Sequence, residues 1–162
     1  MDQAKTSKGD NRLILSRANA PFEYNVDDTR VRLEISTAMT NPTLPERDVL
    51  MCIIEAMGKL EETHAGDPID DNKLTFNYTW VQIILEDQGR PTGRFLNDIA
   101  SWTLRGIAEW MAKNEWFRVM SVKVYFNNYF CGVAEVGLLN SNGAVSSAPS
   151  ATAPSTEATS LS

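Results

Sequence analysis

Hydrophobic and polar positions along this chain follow two different periods. Residues 43–64 and 92–114 repeat apolar side chains at every third or fourth position, which predicts two amphipathic α-helices. Residues 30–37 alternate apolar and polar side chains, and residues 73–86 and 117–138 are rich in β-branched and aromatic residues, which predicts strands. Strand and helix segments therefore follow one another along the chain, with two strands at the end.

This arrangement predicts an α+β fold with its elements in the order β-α-β-α-β-β. We expect two helices packed on one face of a mixed or mostly antiparallel sheet of four to five strands. Asn127-Asn128 is a suitable two-residue hairpin turn between the last two strands, because Asn tolerates positive φ. Residues 12–29 are ambiguous, since they suit either a short edge strand or an extended segment around Pro21.

The ends and buried faces of these elements can also be predicted. Thr43-Leu44-Pro45-Glu46 fits a capping box with Pro45 in the first turn, and Thr92 is the expected N-cap of the second helix. Gly106 lies inside the second predicted helix, where it costs about 1 kcal/mol relative to Ala, and a glycine at such a position often permits the close approach of another backbone. Residues 73–86 predict a single strand, central in its second half, with a bulge at Gln82. Along the first helix, apolar residues at three- and four-residue spacing make one apolar stripe, formed by Val49, Leu50, Ile53, Ile54, Met57 and Leu60.

Composition divides the chain into three parts. Residues 1–11 are polar and aperiodic, and residues 140–162 are rich in Ser, Thr, Ala and Pro with one charged residue. We expect both segments to be disordered, because neither can bury enough apolar surface to offset its chain entropy. Residues 12–139 hold every predicted element and are expected to form a single globular domain.

Charge and hydropathy exclude some partners. The net charge is −6 and the 15 Lys and Arg residues are spread out, which argues against nucleic acid as a partner. No apolar run approaches the roughly 18 residues of a membrane-spanning helix, and no secretory signal core is seen. We therefore expect a cytoplasmic or nuclear protein. Cys52 and Cys131 are expected to be buried reduced thiols, with a single disulfide as the alternative.

Residues that could carry catalysis form no specific pattern. The single histidine, His64, lies near the end of the first predicted helix, where a structural role is expected. The acidic residues between Glu61 and Asp71 do not match a cation-binding loop. The sequence therefore predicts no catalytic residue, no metal and no cofactor.

The best candidate for a ligand site is the turn Gly89-Arg90-Pro91-Thr92-Gly93-Arg94. It follows a predicted strand and opens the second predicted helix, so free backbone N–H groups and two guanidinium groups could together hold a phosphate or carboxylate. The candidate ligand-binding residues are Arg90, Thr92, Gly93 and Arg94. An ordinary turn with an N-cap is the alternative, because the spacing matches no phosphate-binding motif.

Three functional hypotheses follow from these observations. The leading one is a non-catalytic protein-interaction or scaffold module, which includes a homodimer, binding through a sheet edge or an aromatic surface. A domain that holds an anionic metabolite at residues 89–94 is the alternative, and a small enzyme using the acidic loop and His64 is the third. The aromatic residues at issue have a spacing that favours core and rim positions over an exposed surface: Tyr78, Trp80, Trp102, Trp110, Trp116, Tyr125 and Tyr129.

Two short segments resemble a protein family. One is Pro45-Glu46-Arg47-Asp48-Val49-Leu50, and the other, Leu104-Arg105-Gly106-Ile107-Ala108-Glu109-Trp110-Met111, leads to a hairpin with Gly132 and Gly137. Over residues 30–139 the chain resembles a group of small uncharacterised proteins encoded by filamentous fungi. This resemblance implies no activity, cofactor or site residue.

Overall fold

Six strands and two helices make up the part of the chain that the structure describes. The structure is a computed structural model and describes residues 20–89 and 93–139, so the segments 1–11 and 140–162 predicted to be disordered lie outside the described residues. A short 3₁₀ turn, Asp70–Asn72, precedes the third strand. The elements are β1 (Phe22–Asn25), β2 (Val31–Thr37), α1 (Glu46–Glu61), β3 (Lys73–Tyr78), β4 (Val81–Asp87), α2 (Asn97–Asn114), β5 (Met120–Phe126) and β6 (Tyr129–Leu138).

The six described strands form one antiparallel sheet. Their order is β1-β2-β5-β6-β4-β3, so the β5–β6 hairpin is central and the other two hairpins flank it. The α+β class is confirmed. The predicted count of four to five strands is wrong, and the element order is β-β-α-β-β-α-β-β. The ambiguous segment contributes β1, a short strand at one edge.

Residues 73–86, predicted to be a single strand, form a hairpin. β3 and β4 are joined by the two-residue turn Thr79-Trp80. Thr79 has a φ of 51°, a left-handed conformation that β-branched residues rarely adopt, so its residue type carries no turn signal. Gln82 pairs regularly with Asn77, so the bulge predicted at Gln82 is also wrong. The Asn127-Asn128 turn is confirmed, with φ values of 50° and 67°.

The first helix begins later than predicted because tertiary pairing holds the chain before it. α1 starts at Glu46, with Pro45 at the N-cap position and no side-chain cap. Thr43 instead forms an isolated bridge with Arg118, and the backbone N–H of Leu44 donates to the Phe117 carbonyl at 2.8 Å. The predicted capping box is therefore wrong.

The core lies between the two helices and one face of the sheet. α1 covers β3 and β4, and α2 covers β1 and β2. α2 packs tightly at Gly106, where an added Cβ would lie 2.4 Å from Cγ2 of Val26, just after β1, and 2.9 Å from Cδ1 of Leu33 on β2. The three atoms nearest to that Cβ position belong to side chains, so Gly106 admits apolar side chains and not another backbone. The strand residues that build this face include Val31, Leu33, Ile35, Val122, Val124, Ala134, Val136, Ile83 and Leu85.

Neither described helix is long and apolar enough to cross a lipid bilayer.

Candidate interaction surface

The turn predicted to bind an anion lies against β6 where the structure describes it. The N–H of Gly93 donates to the carbonyl of Gly89 at 2.8 Å, which closes the turn. A Cβ added to Gly89 or Gly93 would lie 2.2 or 2.3 Å from the Phe130 carbonyl oxygen, so both glycines are needed for this close packing. Arg94 is exposed, and Arg90 and Thr92 lie outside the described residues.

The helix N-terminus expected to supply N–H groups to that turn lies elsewhere. α2 begins at Asn97 and not at Thr92, with Leu96 at the N-cap position, so the Thr92 N-cap prediction is wrong. The N–H of Asn97 donates to Asp67 O at 2.9 Å, and the N–H of Asp98 donates to Ala65 O at 3.0 Å. The loop after α1 thus takes up the donors that an anion would need.

The acidic loop holds the ends of the two helices together. The carbonyl of His64 accepts hydrogen bonds from Asn97 Nδ2 and the Asp67 N–H, both at 3.1 Å, while the His64 side chain is exposed. Within residues 20–89 and 93–139, no three His, Cys, Asp or Glu side chains converge as metal ligands. A cleft of about 350 Å³ between the helix ends is lined by Leu60, Glu61, Thr63, Ala65, Asn97, Asp98, Ser101 and Trp102.

The two cysteines are buried free thiols, as the sequence predicts. Burial, followed by the negative charge of Glu55, raises the pKa of Cys52 to about 11. Burial also raises the pKa of Cys131. Both groups are therefore protonated near neutral pH, which makes them poor nucleophiles and gives them a packing role.

The aromatic residues do not form one exposed surface in the described chain. Trp80 and Tyr129 are 67% and 59% exposed, but Trp80 is in the β3–β4 turn and Tyr129 begins β6. Because β4 starts beside the end of β6, these two rings lie at opposite ends of the sheet. Trp110 and Trp116 are buried. The prediction of core and rim positions is therefore confirmed for Trp110 and Trp116 and is wrong for Trp80 and Tyr129, which are exposed.

Near β1, the face of the sheet that points away from the helices carries charged side chains that pair with one another. Arg32 forms an ion pair with Glu23 at 3.1 Å, and its guanidinium lies 4.2 Å from the ring centroid of Tyr125. Lys123 forms a second ion pair with Glu34 at 3.3 Å. These charged side chains already have partners within the chain, so they give no indication of an external binding partner.

The outer face of α1 exposes apolar side chains that the core does not use. Ile54 is 61% exposed, and Leu50 and Met51 beside it are half-buried. The inner face is made of buried residues: Val49, Cys52, Ile53, Ala56 and Leu60. At about 3.6 residues per turn, one side of the helix then carries Arg47, Leu50, Met51, Ile54, Gly58 and Glu61, which we call the outer stripe. A shallow groove of about 520 Å³ runs beside Glu46, Arg47, Leu50 and Met51.

Opposite charges stand at the two ends of the outer stripe. Arg47 is in the first turn of α1 and Glu61 is its last residue, and both are exposed. Neither side chain has a hydrogen-bond or ion-pair partner among the described residues. Each also carries the charge that the dipole of its own helix disfavours at that end.

The sequence predicts one apolar stripe that includes Leu50 and Ile54, and the structure divides it, because Leu50 is half-buried and Ile54 is exposed. The signal that was available is the width of the apolar arc on α1. Leu50, Met51 and Ile54 extend it beyond the side that can face the sheet, which leaves apolar side chains in water.

The comparisons with known proteins leave the family of this chain open. No protein-family model, no curated protein and no solved structure matches it.

Proposed function

We propose that this chain is a non-catalytic protein-interaction module that binds through the outer stripe of α1. The observation that carries this proposal is the 61% exposure of Ile54, one turn after the half-buried Leu50 and Met51, on a helix whose other face is buried. Contiguous apolar surface of this kind marks interaction sites, whereas a single exposed apolar residue is ordinary. Met39 is such a single residue, 55% exposed in the loop after β2.

The shape and charge of the outer stripe support a protein as the partner. In the described chain, the groove is lined by side chains of α1 alone, whereas small-molecule sites are concave and bury most of their ligand. Arg47 and Glu61 flank the apolar centre, in the way that a polar rim surrounds the apolar centre of a protein interface.

We also propose that the chain acts in the cytoplasm or nucleus. Its two free thiols support this, because oxidising compartments favour disulfides. Fractionation of native cells tests the proposal, and recovery of the chain only from a secreted or lumenal fraction would contradict it.

Affinity capture with the full chain as bait tests the interaction proposal. Ile54→Asp puts a carboxylate at the centre of the outer stripe, and Met39→Asp is the matched control at a similarly exposed residue outside it. We expect wild type and Met39→Asp to retain a stoichiometric protein from native-cell lysate, or a second copy of the chain, and Ile54→Asp to lose it. Equal binding by all three baits, or no protein bound by any of them, would contradict the proposal.

A further inference from the structure

We infer that the partner of the outer stripe is a second copy of this chain, with the two α1 helices antiparallel about a twofold axis at Ile54. This inference rests on the proposed function and names its partner. A twofold interface must be self-complementary, because the same surface appears on both sides of it. The outer stripe meets this requirement in its charges, its helix dipole and its shape.

The charges are complementary only in the antiparallel arrangement. When two copies of α1 run in opposite directions and cross at Ile54, Arg47 of each copy lies level with Glu61 of the other, since both are seven residues from Ile54. The two unpaired charges of one chain thus become two ion pairs across the axis. In a parallel arrangement Arg47 would face Arg47 and Glu61 would face Glu61, which is repulsive.

The helix dipoles favour the same arrangement. Within one chain, Arg47 stands near the positive N-terminus of α1 and Glu61 stands at its negative C-terminus. In the antiparallel pair, Arg47 moves beside the C-terminus of the other α1, and Glu61 moves beside its N-terminus. Charges that are unfavourably placed in the isolated chain become favourably placed in the dimer.

The shape of the stripe allows the helices to approach closely. Gly58 is exposed, and a Cβ added to it would meet no atom within 4 Å, so no packing within the chain accounts for this glycine. In the antiparallel pair, Leu50 of one copy lies level with Gly58 of the other, and Met51 lies level with Met57. The absent Gly58 side chain leaves room there for the larger apolar side chains.

The length of the contact predicts a dimer that depends on concentration. α1 has 16 residues, which corresponds to a helix of about 24 Å. A contact between two such helices lies at the small end of specific interfaces, below the usual range of about 1,200–2,000 Å². We therefore expect monomer and dimer to exchange over an accessible concentration range.

Sedimentation velocity on the full chain across a concentration series tests this inference. Wild type is expected to shift from monomer to dimer. Ile54→Asp is expected to weaken self-association at least about 100-fold, since the axis brings two substituted residues together. R47E and E61R are each expected to weaken it roughly tenfold, and K113E, an equal charge reversal at an exposed site on α2, is the control that leaves it unchanged.

The decisive sample is the R47E/E61R double variant. It exchanges the two charges, so antiparallel pairing restores both ion pairs, whereas parallel pairing would still place like charges against each other. We expect the double variant to recover dimerisation, and an equimolar mixture of R47E and E61R to recover it as well, because one chain is then acidic and the other basic at both ends of the stripe. Persistent loss in the double variant would overturn the antiparallel arrangement. A wild-type chain that stays monomeric would overturn the second copy as partner, while capture of another protein that depends on Ile54 would still support the proposed function.

Discussion

Adjacent isoleucines on α1 provide a sharp test of which helix face is buried. Ile53 is 2% exposed and Ile54 is 61% exposed, although the sequence pattern places both in one stripe. Truncating each to Ala removes the same atoms at neighbouring positions of the same helix. Any difference between the two variants therefore reports the environment of the side chain and not its chemistry.

The expected magnitudes differ by several-fold. Ile53→Ala removes fully buried atoms and leaves a cavity, which costs about 2–5 kcal/mol of unfolding free energy. Ile54 keeps only about two-fifths of its surface covered, so Ile54→Ala loses at most about 1 kcal/mol of burial and regains a few tenths through the helix propensity of Ala. We expect the net cost at Ile54 to be below about 1 kcal/mol.

Urea unfolding followed by far-UV circular dichroism measures both values. The experiment belongs at the lowest workable protein concentration, because self-association would add a concentration-dependent term to the stability of the wild type. The comparison is valid if the unfolding free energy falls with urea concentration at the same slope in wild type and both variants. Equal losses in the two variants, or a larger loss in Ile54→Ala, would refute the assignment of Ile54 to the outer stripe.

Three further predictions concern packing, a turn and pH. Gly58→Ala is expected to stabilise the monomer by up to about 1 kcal/mol, because the added Cβ meets open space, whereas Gly106→Ala should destabilise it, because its Cβ would lie 2.4 Å from Val26. Thermal unfolding compares the two variants, and a gain of stability in Gly106→Ala would contradict the packing around α2. Thr79→Asn should stabilise the β3–β4 hairpin by about 1 kcal/mol in urea unfolding, because φ is 51° there, and a loss would contradict this. Because the pKa of Cys52 is raised to about 11, the protonated thiol stabilises the fold fully below about pH 9, and this stabilisation is lost as the pH rises through about 11. The Cys52→Ala variant should therefore lose about 2–3 kcal/mol less unfolding free energy than wild type at alkaline pH. Identical dependence of stability on pH in wild type and variant would contradict this.

The fold class could be predicted because periodicity reports burial directly. Val31, Leu33 and Ile35 alternate with polar residues, and all three face the helices as expected. The Asn127-Asn128 turn could be predicted, because Asn is a residue type that suits positive φ. The Thr79-Trp80 turn could not be predicted, because pairing of the flanking strands imposes a backbone conformation that Thr itself disfavours.

The ends of the helices and the position of the interaction surface could not be predicted from the sequence, because they depend on contacts between residues that are distant along the chain. The N-terminus of α2 takes its hydrogen-bond acceptors from Ala65 and Asp67, which are distant along the chain, so Thr92 was a reasonable but wrong N-cap. The exposure of Ile54 follows from how far α1 turns away from the sheet. A wide apolar arc hints at this, but it cannot say which edge of the arc stays in water.

The most direct test of the outer stripe as the interaction surface is a concentration series of the full chain followed by isoleucine-methyl NMR. Ile54 reports the surface, and the buried Ile53 next to it is the internal control. We expect the Ile54 methyl resonance to shift or broaden as the concentration rises from micromolar to millimolar, while the Ile53 resonance changes little. An Ile54 resonance that stays constant while other surface methyl groups shift would place self-association elsewhere and contradict the account.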